Sequence, residues 1–210
     1  MAAPRPDSPS GSALGIPADG GRQGAVDLWS EPGRVLVLSA TEEGVPVEGA
    51  ALDGGSSPRQ CVRALLLTPH GAVLLIRLDG RSGPLWITPG GGIEPGESHV
   101  ATLRRELREE VGRSDFDVGP LVWIRDAEFE WDGRMCRERE HFYLIHTDSF
   151  VADLTGNPEP TEARLMTEHR WWLVDDLLRS AERFAPARMA RLLADLIENG
   201  PPNTPVATGY

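Results

Sequence analysis

Three consecutive glycines, Gly90-Gly91-Gly92, lead through Ile93-Glu94-Pro95-Gly96-Glu97 towards the segment Arg105-Glu106-Leu107-Arg108-Glu109-Glu110-Val111-Gly112. No other feature of the chain constrains its fold as much. Ser98 stands where an N-cap belongs and Gly112 where a left-handed C-cap residue belongs, so the stretch between them reads as a helix. Val100, Leu103, Leu107 and Val111 follow the i, i+3, i+7, i+11 spacing of one apolar face. Glu106, Glu109 and Glu110 form an acidic sector beside that face. Neighbours at i+3 and i+4 have Cβ atoms about 5–6 Å apart, and like charges there cost about 0.2–0.5 kcal/mol per pair. A bound cation would reverse that sign. For the helix alone, a solvated face with Arg104, Arg105 and Arg108 as partners is an equal reading. It requires neither the glycine turn at fixed distance nor Glu97, so the combined pattern favours a divalent-cation site. Hard oxygen donors select Mg²⁺, with Mn²⁺ also suited, over softer metals.

The spacing is Gly, five residues, Glu, seven residues, then Arg-Glu-aliphatic-x-Glu-Glu-x-Gly, carried by Gly91, Glu97, Arg105, Glu106, Leu107, Glu109, Glu110 and Gly112. It resembles the box of the Nudix hydrolases, with one departure: Arg113 stands where an aliphatic residue is usual. The resemblance implies an α/β/α sandwich with a mixed sheet and hydrolysis of a nucleoside diphosphate linked to another moiety. Carried over by position, it implies Glu106, Glu109 and Glu110 as metal ligands, with the carbonyl of Gly90 adding an oxygen. Arg105 would hold a glutamate by a two-pronged ion pair, and Glu97 would support the site. The general base would be a box residue, Glu109 or Glu110, or a late-loop residue, Glu162 or Glu168. Arg113 follows the ligands and, as a cation at a helix C-terminus, is itself favourable.

The rest of the chain reads as an α+β layered domain over residues 59–200. Residues 1–24, rich in Pro, Gly, Ser and Ala, read as a disordered tail, and 25–58 as an extension with a short strand near Val35–Leu38. Val62–Leu67 and Ala72–Leu78 form a strand pair around Thr68-Pro69-His70-Gly71, and Leu85–Ile87 is a strand leading into the glycine turn. A second strand pair is predicted at Leu121–Trp131 and His141–His146, with Asp132-Gly133 opening a polar connection. A polar loop then spans Thr147–His169, followed by a strand at Arg170–Val174 and helices at Asp175–Glu182 and Pro186–Asn199. Gly200-Pro201-Pro202 stops the last helix, leaving 201–210 as a tail.

A net charge of −11 and the absence of a basic stripe argue against tight sequence-independent binding of nucleic acid. The implied partner is a nucleotide-type small molecule, and a homodimer is compatible with the sequence. Arg134, Arg137 and Arg139 read as a solubilising hairpin tip rather than a phosphate site. Two cysteines, Cys61 and Cys136, make neither a disulfide framework nor a metal motif. No run near 18 apolar residues and no secretory leader pattern appears, so a cytoplasmic protein without a membrane partner is expected. Trp86, Trp171, Trp172, Phe129 and Trp131 are read as packing residues before base-stacking ones. Two alternatives stay open: a non-catalytic nucleotide-binding module, and an isomerase-type member of the same family. The complete carboxylate set opposes the first, and the lack of a cysteine motif opposes the second.

Overall fold

The apolar run from Val62 to Leu67 requires cover on both sides of its strand, and the architecture supplies it. The computed structural model describes residues 36–38, 57–80, 82–131, 134–153 and 164–209. They form β1 (Leu36–Leu38), β2 (Arg59–Leu67), β3 (Ala72–Gly80), β4 (Gly83–Ile87), α1 (His99–Val111), β5 (Leu121–Trp131) and β6 (Arg134–His146). There follow β7 (Met166–Leu173), α2 (Val174–Arg179), β8 (Phe184–Ala185), α3 (Met189–Asn199) and β9 (Val206–Ala207). One mixed sheet runs β1-β5-β6-β2-β3-β4-β8, with β7 also on β3 and β9 also on β5.

The branch at β2 positions the site. β2 lies parallel to β6 along its whole length but meets β3 only at the hairpin end, where Leu67 opposes Val73. The edge left open takes the glycine turn instead. Val62 N–H donates to Gly91 O at 2.9 Å, Ala64 N–H to Pro89 O at 2.8 Å, and Ile93 N–H to Gln60 O at 2.9 Å.

Helices cover both faces. Leu103, Leu107 and Val111 of α1 pack against Val62, Ala64, Leu66 and Leu74. On the other face Val174 and Leu177 of α2, with Met189, Leu193 and Leu196 of α3, pack on Leu65, Leu67, Val73 and Leu75. Each fully buried leucine contributes about 1.5–3 kcal/mol before chain entropy is counted. The result is the α+β arrangement expected, an α/β/α sandwich about a mixed sheet.

Several boundaries differ from the sequence reading. β6 begins at Arg134 rather than His141, because its charged residues find partners across the hairpin: Arg139 with Asp126 and Arg137 with Glu128, each at 2.8 Å. β7 begins at Met166, inside the expected loop, and pairs with β3 from Leu78 to Ala72. α3 starts at Met189, not Pro186; the Pro186 carbonyl accepts from Met189 N–H at 2.9 Å and closes a turn ahead of the helix. Val100 is exposed, outside the apolar cluster beneath α1. β1 runs parallel to β5 opposite Phe129–Trp131, and β9, within the expected tail, adds to β5 at Trp123 and Ile124. Residues 1–24, Asp132-Gly133 and Glu162 lie outside the described residues.

Candidate active site

α1 is capped at both ends. Ser98 Oγ accepts from Ala101 N–H at 3.2 Å, and Gly112, with φ of 75°, donates to Leu107 O. The buried stripe of α1 is Thr102, Leu103, Glu106, Leu107, Glu110 and Val111. Two glutamates therefore lie inside the face that packs on the sheet, Glu106 at 9% and Glu110 at 2% exposure. Carboxylates are rarely buried without partners, and both lie against the glycine turn.

Glu110 Oε2 accepts from Gly90 N–H at 2.7 Å. Glu106 faces Gly91, where a Cβ would stand 2.5 Å from Glu106 Oε1. Gly90 has φ of +134°, and a Cβ there would run into the Val62 carbonyl. Only glycine allows this approach.

Arg105 ties the carboxylates together. Its Nε and Nη2 grip the two oxygens of Glu97, each at 3.0 Å. Nη1 donates to Glu106 Oε1 at 2.7 Å and lies 3.6 Å from Glu109 Oε2, while Nη2 also donates to Gly92 O at 3.0 Å. The planar fork suits such bidentate work. Hydrogen bonds from Arg105, reinforced by Thr102, hold the Glu97 carboxyl at about 2, well below its usual 4.5.

Arg105 and the glycine turn thus link the sequence-predicted residues Gly90, Glu97, Arg105, Glu106, Glu109 and Glu110 along α1, from just ahead of its N-cap to its last turn. Glu168 is not in a loop but on β7, bonded to Arg170 at 2.7 Å and 3.9 Å from Arg77. Trp86 and Trp172 are core residues in edge-to-face contact at 5.1 Å, and Trp171 packs beneath α1 with its Nε1–H on Phe150 O. Arg137 and Arg139 are paired with Glu128 and Asp126 across the β5–β6 hairpin.

Two further contacts had no place in the sequence reading. His169 Nε2 lies 2.8 Å from Glu110 O, and Arg63 Nη1 donates to Gly90 O at 2.6 Å. Arg63 was legible as the one charge inside the apolar run Cys61–Leu67.

The donor set suits a divalent cation in type: clustered carboxylates and a backbone carbonyl, beside glycines whose absent side chains leave room for them. Among the described residues, no three acidic, histidine or cysteine side chains already converge on one point. Arg105 now takes up oxygens of Glu97 and Glu106, so its bonds are the ones a cation would compete with.

Residues 57–196 match the model of the NUDIX domain. An RNA pyrophosphohydrolase of Erythrobacter litoralis is 29% identical over 136 residues, 58% of this chain and 79% of that protein. The nucleoside triphosphatase NudI of Escherichia coli is 29% identical over 135 residues, 60% of this chain and 91% of its own length. A putative mutator protein MutT4 of Mycobacterium tuberculosis is 27% identical over 199 residues, 95% of this chain and 72% of that one. The solved MutT protein of Methanosarcina mazei Go1 superposes with a TM-score of 0.52 at 19% identity, covering 70% of this chain and 97% of that chain. The chain belongs to the Nudix family. Its chemistry is the enzymatic hydrolysis of a phosphoric anhydride, a pyrophosphate bond.

Proposed function

We propose that the protein is a Mg²⁺-dependent hydrolase, also served by Mn²⁺, that cleaves the pyrophosphate bond of a nucleoside diphosphate linked to another moiety. The observation that carries this reading is the burial of Glu106 and Glu110 against a turn made of glycine alone. Structure alone gives no reason to bury two carboxylates there, since apolar residues of similar size would pack at less cost. Relatives named as RNA pyrophosphohydrolase and nucleoside triphosphatase support a nucleotide substrate.

Glu106, Glu109, Glu110 and the Gly90 carbonyl would hold the cation. When bound, it would neutralise diphosphate charge and favour an ionised water. The chain's own residues do the positioning. Arg105 fixes Glu97 and the Gly92 carbonyl, keeping the turn at a set distance from α1. Glu110 orients the Gly90 peptide through its N–H. The proton acceptor for the attacking water would be Glu109 or Glu110 on α1, or Glu162 or Glu168 from the late segment, Glu168 being paired with Arg170 on β7. A chain with two cysteines and no disulfide-framework spacing accords with a cytoplasmic setting. Among the described residues no helix is long and apolar enough to cross a membrane.

The test is the appearance of phosphomonoester or pyrophosphate products from a panel of nucleoside triphosphates, 5′-triphosphorylated RNA, ADP-ribose, dinucleoside polyphosphates, NADH and sugar nucleotides, with and without Mg²⁺. Metal-dependent release from one class is the expected result, and Glu110→Gln should abolish it while the thermal transition persists. Silence across the panel with retained nucleotide binding would instead establish a non-catalytic binding module.

A further inference from the structure

A buried charge network sits on the α3-facing side of the sheet, outside the box. Arg63 on β2 alternates in phase with Leu65 and Leu67, and Glu138 and Glu140 on β6 with Phe142 and Leu144, all apolar core residues. Arg63 Nε donates to Glu140 Oε1 at 2.8 Å, and Arg125 Nη1 takes the other oxygen of Glu140 at 3.0 Å. Glu138 lies 3.7 Å from Arg63 and 3.5 Å from Arg59. Burial pushes the Glu140 carboxyl up, but Arg125 and Arg63 outweigh it and hold it low. Apolar residues in such positions would stabilise a sheet as well or better. The charge is therefore expected to serve an orientation rather than stability.

That orientation has a visible object. With Glu140 holding its Nε, Arg63 directs Nη1 at the Gly90 carbonyl, 2.6 Å away. The Gly90 peptide is consequently gripped from both faces of the sheet: its N–H by Glu110 from the α1 side, its C=O by Arg63 from the α3 side. Gly90 starts a three-glycine run, the segment with the most backbone freedom to lose. A carbonyl oxygen has two lone pairs, so a bond from Arg63 leaves one available. If Glu110 turns its carboxylate to a cation, Arg63 becomes the remaining side-chain hold on this peptide.

We propose that Arg63, braced by Glu140 and Arg125, is a positioning residue that orders the Gly90 peptide and thereby sets the affinity of the site for its divalent cation. The second half rests on the metal reading given above.

Wild type, Arg63→Lys and Glu140→Gln are compared without substrate. Lysine keeps the charge but has a single nitrogen for two targets. Glutamine leaves one acceptor oxygen for two arginines, a milder change should the lysine variant not fold. Amide exchange of Gly90 is followed by NMR in metal-free protein, and Mn²⁺ binding by the EPR signal of the free ion. Arg63→Lys should speed Gly90 exchange at least about tenfold while Leu65 and Leu66 stay protected, and raise the Mn²⁺ dissociation constant about ten- to hundredfold. Glu140→Gln should move both the same way, by about threefold or more. Unchanged exchange and unchanged Mn²⁺ affinity overturn the role of Arg63 and leave the hydrolase reading standing. Wild type that binds no Mn²⁺ overturns the metal reading and the affinity claim with it, while exchange still decides whether Arg63 orders the turn.

Discussion

Gly90 and Gly91 are neighbours with different reasons to be glycine, and the difference can be measured. At Gly90 the obstacle is backbone: φ is +134° and a Cβ would meet the Val62 carbonyl, fixed in β2. Gly90→Ala should therefore cost at least about 2 kcal/mol, read from the urea midpoint. At Gly91 the obstacle is the carboxylate of Glu106, the far end of a side chain that can swing away. Gly91→Ala should cost under about 1 kcal/mol but weaken Mn²⁺ affinity by about ten- to hundredfold, because the displaced group is a candidate ligand. Equal destabilisation with unchanged Mn²⁺ affinity would make the turn purely structural. Arg113, the departure from the family pattern, finds its reason here too. Its guanidinium lies 5.0 Å from the Phe116 ring centre and 4.8 Å from that of Phe150, beside Asp115 at 3.2 Å. Covering two rings with a guanidinium does the packing work an aliphatic side chain would do, at a position beyond the acidic residues.

At the scale of the element, α1 was the most legible part of the chain, since caps, apolar spacing and acidic sector each follow from local sequence. Ser98→Ala should lower stability by about 1 kcal/mol through loss of the bond to Ala101 N–H. A loss below about 0.3 kcal/mol in thermal denaturation would mean that Thr102, which also binds Ser98 O and Glu97, sets the helix start instead. What local sequence hid were elements whose support is distant. Arg134–Glu140 is too charged to resemble a strand until Asp126 and Glu128 are seen opposite it. Met166–His169 becomes strand only through its pairing with β3, some ninety residues earlier. The expected helix start at Pro186 was plausible from proline's preference for a first turn, yet a separate turn precedes α3 there. The candidate site divides the same way. Its box residues were readable from spacing, whereas Arg63, Glu140 and His169 join it only through β2, β6 and β7.

Across the whole molecule the sheet separates two apolar cores, and only one of them bears the candidate ligands. α1 with Leu103, Leu107 and Val111 forms the first, and α2 and α3 with Leu177, Met189, Leu193 and Leu196 the second. Leu107 and Leu193 are both fully buried, so truncating either to alanine should cost about 2–5 kcal/mol. Their effects on the site should nonetheless part. Leu107 lies beside Glu106 on the face that seats α1, and its loss lets the helix shift against the glycine turn. Leu193 anchors α3 on the far side of a hydrogen-bonded sheet, in a different packing unit. At a temperature where both variants remain folded, Leu107→Ala should raise the Mn²⁺ dissociation constant several-fold, and Leu193→Ala should leave it within about twofold, in keeping with the near-independence of separated sites. Matched shifts in both would show that the sheet transmits helix position from one face to the other, a route distinct from the direct bond of Arg63 to the Gly90 carbonyl.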